Sequence, residues 1–325
     1  MLKAYDYIEF NNNNVPIHNE LHLNNEKGIA EQFVRNHQVN EHDEIKECPI
    51  CNHDKSIVFS KVWEIPYYRC ESCWSIFNFI SAAVVTAYKQ NQDLIDYRLS
   101  ESYQSDASLR RDTSWEELLD WIKFRTYRYL ERNRDLDVID YGNRYYALID
   151  KIKGSNICKQ YELRNSIAMN YSNPNNPIGQ ADVILYLNNI QQSVDPVRDL
   201  IEVGQSLKQE GLLFLSTRVS TGFDILTLQQ NINNIYPFEH NLLLSKSGIE
   251  IVLKNAGYRV LEISTPGLMD LQYVQSNLEG IHKDNLFVKY LLEHGDQNTL
   301  SEFQRFIQKS GMSSFAQVVA QREVT

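Results

Sequence analysis

Four cysteines set in two pairs restrict this chain more than any other feature. Cys48 and Cys51 form CPIC, Cys70 and Cys73 form CESC, and 18 residues lie between the pairs. A CxxC turn presents two sulfurs on one side, and two such turns complete a tetrahedral Zn2+ site of four thiolates. The chain between them must therefore run out and return. Ile57, Val58, Phe59, Val62 and Trp63 read as the short strands that do this, with Tyr67, Tyr68 and Phe77 covering a small core. These residues define a zinc ribbon over 46–80. A closed four-thiolate site has no open coordination position, so its expected role is structural. His53 is an alternative ligand, though a loop position suits it better. A redox CxxC is disfavoured because two pairs occur together. The fifth cysteine, Cys158, falls in a predicted strand and reads as core.

The stretch Asp137–Tyr146, DVIDYGNRYY, has the form of a first strand and turn in a nucleotide-binding α/β domain. Strand residues lead into Asp140, Tyr141 and Gly142. Small residues are expected next, because the backbone must approach a ligand closely. Arg144 and Tyr146 stand there instead. A second strand at 157–161 ends at Glu162, about 20 residues after the turn, where an acid holds ribose hydroxyls. The plainer reading of Glu162 is a surface carboxylate. Further strands are expected at 183–187, running into Asn188 and Asn189, and at 212–216 and 258–263. Helices are expected at 197–209, stopped by Gly211, and at 248–256, ended by Gly257. Such alternation predicts a parallel sheet whose ligand lies at the carboxyl ends of its strands.

Ahead of the first strand, Ser114 is placed to cap a helix running through Leu118, Leu119, Ile122 and Leu130 to Asn133. Residues 1–45 read as an Asn-rich lead-in with one helix near 28–37. Residues 81–113 read as a polar linker with loop or short helix, which leaves 114–325 as the main domain. The charge balance is 32 Lys and Arg against 42 Asp and Glu, a net −10. That weighs against a large phosphate-tracking surface, and nucleic acid is not an expected partner. Lys123, Arg125 and Arg128 read as a solvated helix face. No basic segment followed by an apolar stretch opens the chain, and its longest apolar run, 80–88, is too short to span a bilayer. The expected location is cytoplasmic, with no membrane partner.

The run ADVILYLNNIQQSVDPVRDLIEVGQSLKQEGLLFLST, from Ala181 to Thr217, resembles the middle of class I S-adenosylmethionine (SAM)-dependent methyltransferases. So does FEHNLLLSKSGIEIVLKNAGYRVLEISTPG, from Phe238 to Gly267. With the ribbon ahead of it, the chain resembles zinc-ribbon methyltransferases of bacterial sugar and surface-polysaccharide biosynthesis, over roughly 46–321. The resemblance implies a Rossmann-like seven-stranded sheet with an antiparallel last strand at 315–321 and a helical insertion over 278–309. It implies SAM as cofactor beside structural Zn2+. Asp140 and Gly142 match the start of the SAM loop, Glu162 the ribose ligand, and Asn188 a residue bordering adenine or methionine.

His240, in PFEH, is the candidate general base, with Glu239 to orient it or act instead; the plainer reading of His240 is a surface or capping residue. Gln191 and Gln192 stand where relatives often carry a Glu-His pair. Thr217 and Arg218 are placed to contact a sugar phosphate or to face solvent. The implied activity is methyl transfer to a small, sugar-like acceptor. A catalytically degenerate binding or scaffold protein is the alternative. A zinc-ribbon RNA methyltransferase is a third reading, weakened by the acidic balance and by only three basic residues, Lys55, Lys61 and Arg69, within 48–77.

Overall fold

The computed structural model describes residues 20–37, 47–131, 134–141, 146–164 and 179–323. It opens with helix α1 (Glu20–His37), followed by the ribbon strands β1 (Ser56–Val62), β2 (Ile65–Cys70) and β3 (Ile76–Phe77). Helices α2 (Ala82–Lys89), α3 (Gln92–Leu99) and α4 (Glu101–Tyr129) come next. The α/β part then runs β4 (Leu136–Asp140), α5 (Tyr146–Lys153), β5 (Cys158–Leu163), β6 (Ala181–Leu187), α6 (Pro196–Gln205) and β7 (Leu207–Arg218). After it come α7 (Phe223–Leu228), β8 (Leu242–Leu243), α8 (Lys246–Asn255), β9 (Tyr258–Ser264) and α9 (Asp270–Gln275). Helices α10 (Leu286–His294) and α11 (Gln297–Lys309) occupy the expected insertion, and β10 (Phe315–Arg322) closes the chain.

The central sheet has the order β5-β4-β6-β7-β10-β9. Strands β5, β4, β6 and β7 are parallel. Strand β10 inserts antiparallel between β7 and β9, as expected for the last strand. Six of the seven expected strands thus lie within the described residues. Strand β6 shows why this sheet is central: Val183, Leu185 and Leu187 are buried on one face, Ile184 and Tyr186 on the other. A parallel strand covered on both sides reads as a near-continuous apolar run. Leu118, Trp121 and Ile122 of α4, with Ile152 of α5, cover the first face. Leu200 and Val203 of α6, with Ile249 and Val252 of α8, cover the second.

Three local expectations differ from the structure. Helix α4 begins under the Ser100 cap, whose hydroxyl accepts the Tyr103 N–H at 3.4 Å, and runs through Ser114. Residues 101–114 contain neither Gly nor Pro, so nothing there stops a helix. Helix α6 ends at Gln205, ahead of the expected Gln209, because fully buried Leu207 already pairs with Ala181. Arg125 is not on a solvated face. It lies buried against β9 with its guanidinium forked onto Glu262, at 2.6 to 3.0 Å.

The ribbon is built into the rest of the molecule. Its sheet has the order β1-β2-β3-β8, and β8 comes from the segment after β7, pairing Ile76 with Leu243 and Phe77 with Leu242. Ile50, Tyr68 and Phe77 share one core with Ile184, Leu213 and Leu215 of the central sheet. Helices α7, α9, α10 and α11 pack on a third core through Ile225, Leu228, Val274, Leu292 and Ile307. Helices α1, α2 and α3 close around Phe238, which stacks on Tyr88 with ring centroids 4.2 Å apart. No helix among the described residues is long and apolar enough to cross a membrane.

Candidate functional site

The two cysteine knuckles fold alike. Cys48 N–H donates to the His53 carbonyl and receives the Asn52 N–H on its own carbonyl; Cys70 does the same with Ser75 and Trp74. Asn52 and Trp74, each following the second cysteine of its pair, have φ of 57° and 63°. The turns bring Cys48 Sγ to 3.7 Å from Cys73 and Cys51 Sγ to 3.6 Å from Cys70. All four sulfurs lie within 4.8 Å of one another. A Zn–S bond of about 2.3 Å places tetrahedral sulfurs about 3.8 Å apart, so the cage fits Zn2+. The hydrogen bond shared with Cys48 pulls Cys73 down to about 5, while the same bond and burial push Cys48 up.

Sulfurs this close cannot all ionise without a cation between them. His53 lies apart from the cage, with Nδ1 3.7 Å from Asp54. Cys158 opens β5 and donates its S–H to the Gln160 carbonyl; burial pushes its thiol up to about 11.

The second set of residues lies at the carboxyl ends of the parallel strands, where α/β sheets hold ligands. Asp140 ends β4 and Glu162 sits beside it near the end of β5, in the register Ile139–Glu162 and Asp140–Leu163. Both carboxyls are buried, at 0% and 1% exposure. Tyr161 donates its phenolic O–H to Asp140. Arg164 grips Glu162 through Nε at 2.6 Å and Nη2 at 3.3 Å, and reaches the Ser206 hydroxyl through Nη1 at 2.5 Å. Its backbone N–H donates to the Asp140 carbonyl at 2.7 Å.

Asn188 follows β6 with φ of 58°, which asparagine tolerates. Its N–H donates to the Ser216 carbonyl, and its Oδ1 accepts the Ser216 hydroxyl at 3.4 Å. Asn189 ties this turn to the previous one through the Tyr141 carbonyl at 2.7 Å. Gly142, Arg144 and Tyr145 fall outside the described residues. Ionised carboxylates are acceptors, the kind of partner ribose hydroxyls need, and here they accept from Tyr161 and Arg164. Nothing in the sequence singles out Tyr161 as a partner of Asp140. Arg164 does carry a signal, since residues two apart on an extended chain share a face and it stands two beyond Glu162.

The third set is the loop 232–241 between α7 and β8. Glu239 is buried with Oε1 on Arg98 of α3 at 2.6 Å and Oε2 on Gln192 at 3.0 Å. Arg98 also binds Glu26 of α1 at 2.9 Å. Burial works to lower the Arg98 pKa, but the charges of Glu239 and Glu26 outweigh it and hold the guanidinium well above its ordinary value. His240 is buried, edge-on to Tyr236 at 5.1 Å. Asn241 reaches the Gln192 carbonyl at 3.1 Å, and Lys27 of α1 donates to the Asn233 carbonyl.

Gln191 accepts the Arg218 N–H at 3.2 Å. Arg218 is partly buried, paired with buried Asp224 and donating to the Asn234 carbonyl, and Thr217 is fully buried. Glu239 and His240 thus sit beside the turn after β6, while Glu26, Lys27 and Arg98 arrive from remote helices and carry no local signal.

The strand order, with parallel strands on one side and an antiparallel strand between the last two, defines a Rossmann-like methyltransferase fold, joined to a four-cysteine group that fits zinc. No protein-family model matches the chain, and no curated protein does. Among solved structures, a chain of the complex between the Haloferax volcanii Trm112 methyltransferase activator and its candidate methyltransferase is 12% identical. The match covers 69% of this chain and 96% of that one, at a TM-score of 0.41. Coclaurine N-methyltransferase bound to N-methylheliamine and S-adenosylhomocysteine (SAH) is 13% identical over 65% and 73%, at 0.36. The [4+2]-cyclase SpnF is 12% identical over 63% and 81%, at 0.33. Likeness this loose carries no functional weight, and the fold rests on the sheet itself.

Proposed function

We propose that this chain is a SAM-dependent methyltransferase acting on a small molecule. The observation that carries this reading is the pair of buried carboxylates, Asp140 and Glu162, at the ends of adjacent parallel strands of a methyltransferase-type sheet. In this reading Glu162 accepts the ribose hydroxyls, Asp140 and Gly142 begin the cofactor turn, and Asn188 borders the adenine or methionine part. Bound SAM supplies an electrophilic methyl group. The protein's part is to align the acceptor with it, since alignment alone removes much of the barrier. His240 takes the proton from an acceptor hydroxyl as the new bond forms. Glu239, fixed by Arg98 and Gln192, anchors the loop that carries His240. Zinc holds the ribbon and has no part in the transfer. The acceptor we infer is sugar-like, a nucleotide-linked sugar or glycan precursor, on the resemblance of residues 46–321.

Two observations favour a second reading, a binding or scaffold protein that no longer uses the cofactor. Arg164 already holds Glu162, and glutamines occupy 191 and 192. Calorimetric titration with SAM and SAH separates the two. Binding of both is expected, unchanged by His240→Gln. No heat at millimolar ligand would leave only the scaffold reading.

A further inference from the structure

The Glu162 side chain is 2% exposed and that of its partner Arg164 22%, so the arginine is the more solvent-accessible member of the pair. Two of the guanidinium nitrogens sit on Glu162 and the third on Ser206. The main chain of Arg164 is itself pinned to Asp140. The two side chains stand two residues apart at the end of β5, on one face, and need no other element to meet. A ribose offers neutral hydroxyls, whereas Arg164 offers charge-assisted bonds in a forked geometry, the stronger of the two.

We propose that Arg164 is a built-in competitor for the ribose-binding carboxylate, and that a nucleoside cofactor binds only by displacing it from Glu162. This rests on the reading of Glu162 as the ribose ligand. Arg164 then sets how tightly cofactor is held. The opposite role, an arginine that holds the ligand, predicts the opposite sign: its removal would weaken binding.

Calorimetry with SAH as the probe tests this on the full-length, zinc-loaded protein. Arg164→Gln is expected to tighten SAH binding about tenfold or more, equivalent to about 1.4 kcal/mol. Arg164→Lys, which cannot fork, is expected to fall between the two. In a Glu162→Gln background the same Arg164→Gln change is expected to shift affinity less than about twofold, because no carboxylate is left to compete for. Circular dichroism checks folding, and if Arg164→Gln fails it, Arg164→Lys carries the comparison. Wild-type binding with unchanged or weaker affinity in the Arg164 variants overturns this inference alone. No SAH binding by any of the proteins overturns the cofactor reading and this inference together.

Discussion

Removing zinc should release the segment after β7 as well as the ribbon. The ribbon holds residues 241–248 by hydrogen bonds that depend on the second knuckle. Asn78 N–H donates to the Asn241 carbonyl at 3.0 Å, and Ser245 N–H to the Ser75 hydroxyl at 3.2 Å. The Ser245 and Ser247 hydroxyls both donate to the Cys73 carbonyl, the latter at 3.2 Å. Free energies of zinc binding in small structural sites, roughly 10–16 kcal/mol, match or exceed the total stability of a domain. The ribbon should therefore not keep its fold without metal.

Losing these bonds, at about 1 kcal/mol each, removes about 4 kcal/mol of local stability from 241–248. Amide exchange there should accelerate roughly a thousandfold on chelation. Hydrogen exchange read by mass spectrometry, with and without a strong chelator, measures this. Backbone bonds within β4 and β6 are internal to the central sheet, so their amides should lose far less. If amides of 48–73 lose protection while that of Ser245 keeps it, the coupling of ribbon to loop is wrong.

Two further outcomes follow from buried charges. Arg125→Ala strands the Glu262 carboxylate and should cost about 3–5 kcal/mol by urea unfolding, while the double variant Arg125→Met with Glu262→Leu should recover most of it. A double variant no better than the single would show that the pair contributes more than mutual neutralisation. Burial, with the Asp224 charge beside it, raises the Asp270 carboxyl above its ordinary value. The folded protein then holds that proton more tightly than the unfolded chain. Stability should fall as pH rises from the ordinary carboxyl value through the raised one, and stay at the lower level above it. Asp270→Asn should flatten that slope in urea unfolding across mildly acid pH; parallel curves for the two proteins would refute the assignment.

Features carried by neighbours along the chain are legible in the residues alone. The knuckle spacing demands a four-sulfur cage because each CxxC turn is set by its own backbone bonds. The apolar runs of β6 and β7 announce buried parallel strands, and the acids at 140 and 162 fall at strand ends because the period of a strand is local. Boundaries move where a local cue is outweighed. Ser114 is a competent cap, yet helix α4 runs through it with no breaker upstream, and Gly211 is taken up inside β7 because Leu207 is already paired.

By itself, then, the sequence determined a four-thiolate ribbon, a parallel α/β sheet and the acidic strand ends of a candidate nucleoside site. Tertiary structure decided what those parts touch. It placed Leu243 beside Ile76, making the ribbon sheet depend on a segment from beyond β7. It brought Arg98 of α3 between Glu26 of α1 and Glu239 in the loop before β8. It also withdrew Arg125 from solvent onto Glu262. The physical reason is one of range: turn geometry and periodicity act over a few residues, whereas these contacts join segments far apart in the chain, and only the packed fold sets their register.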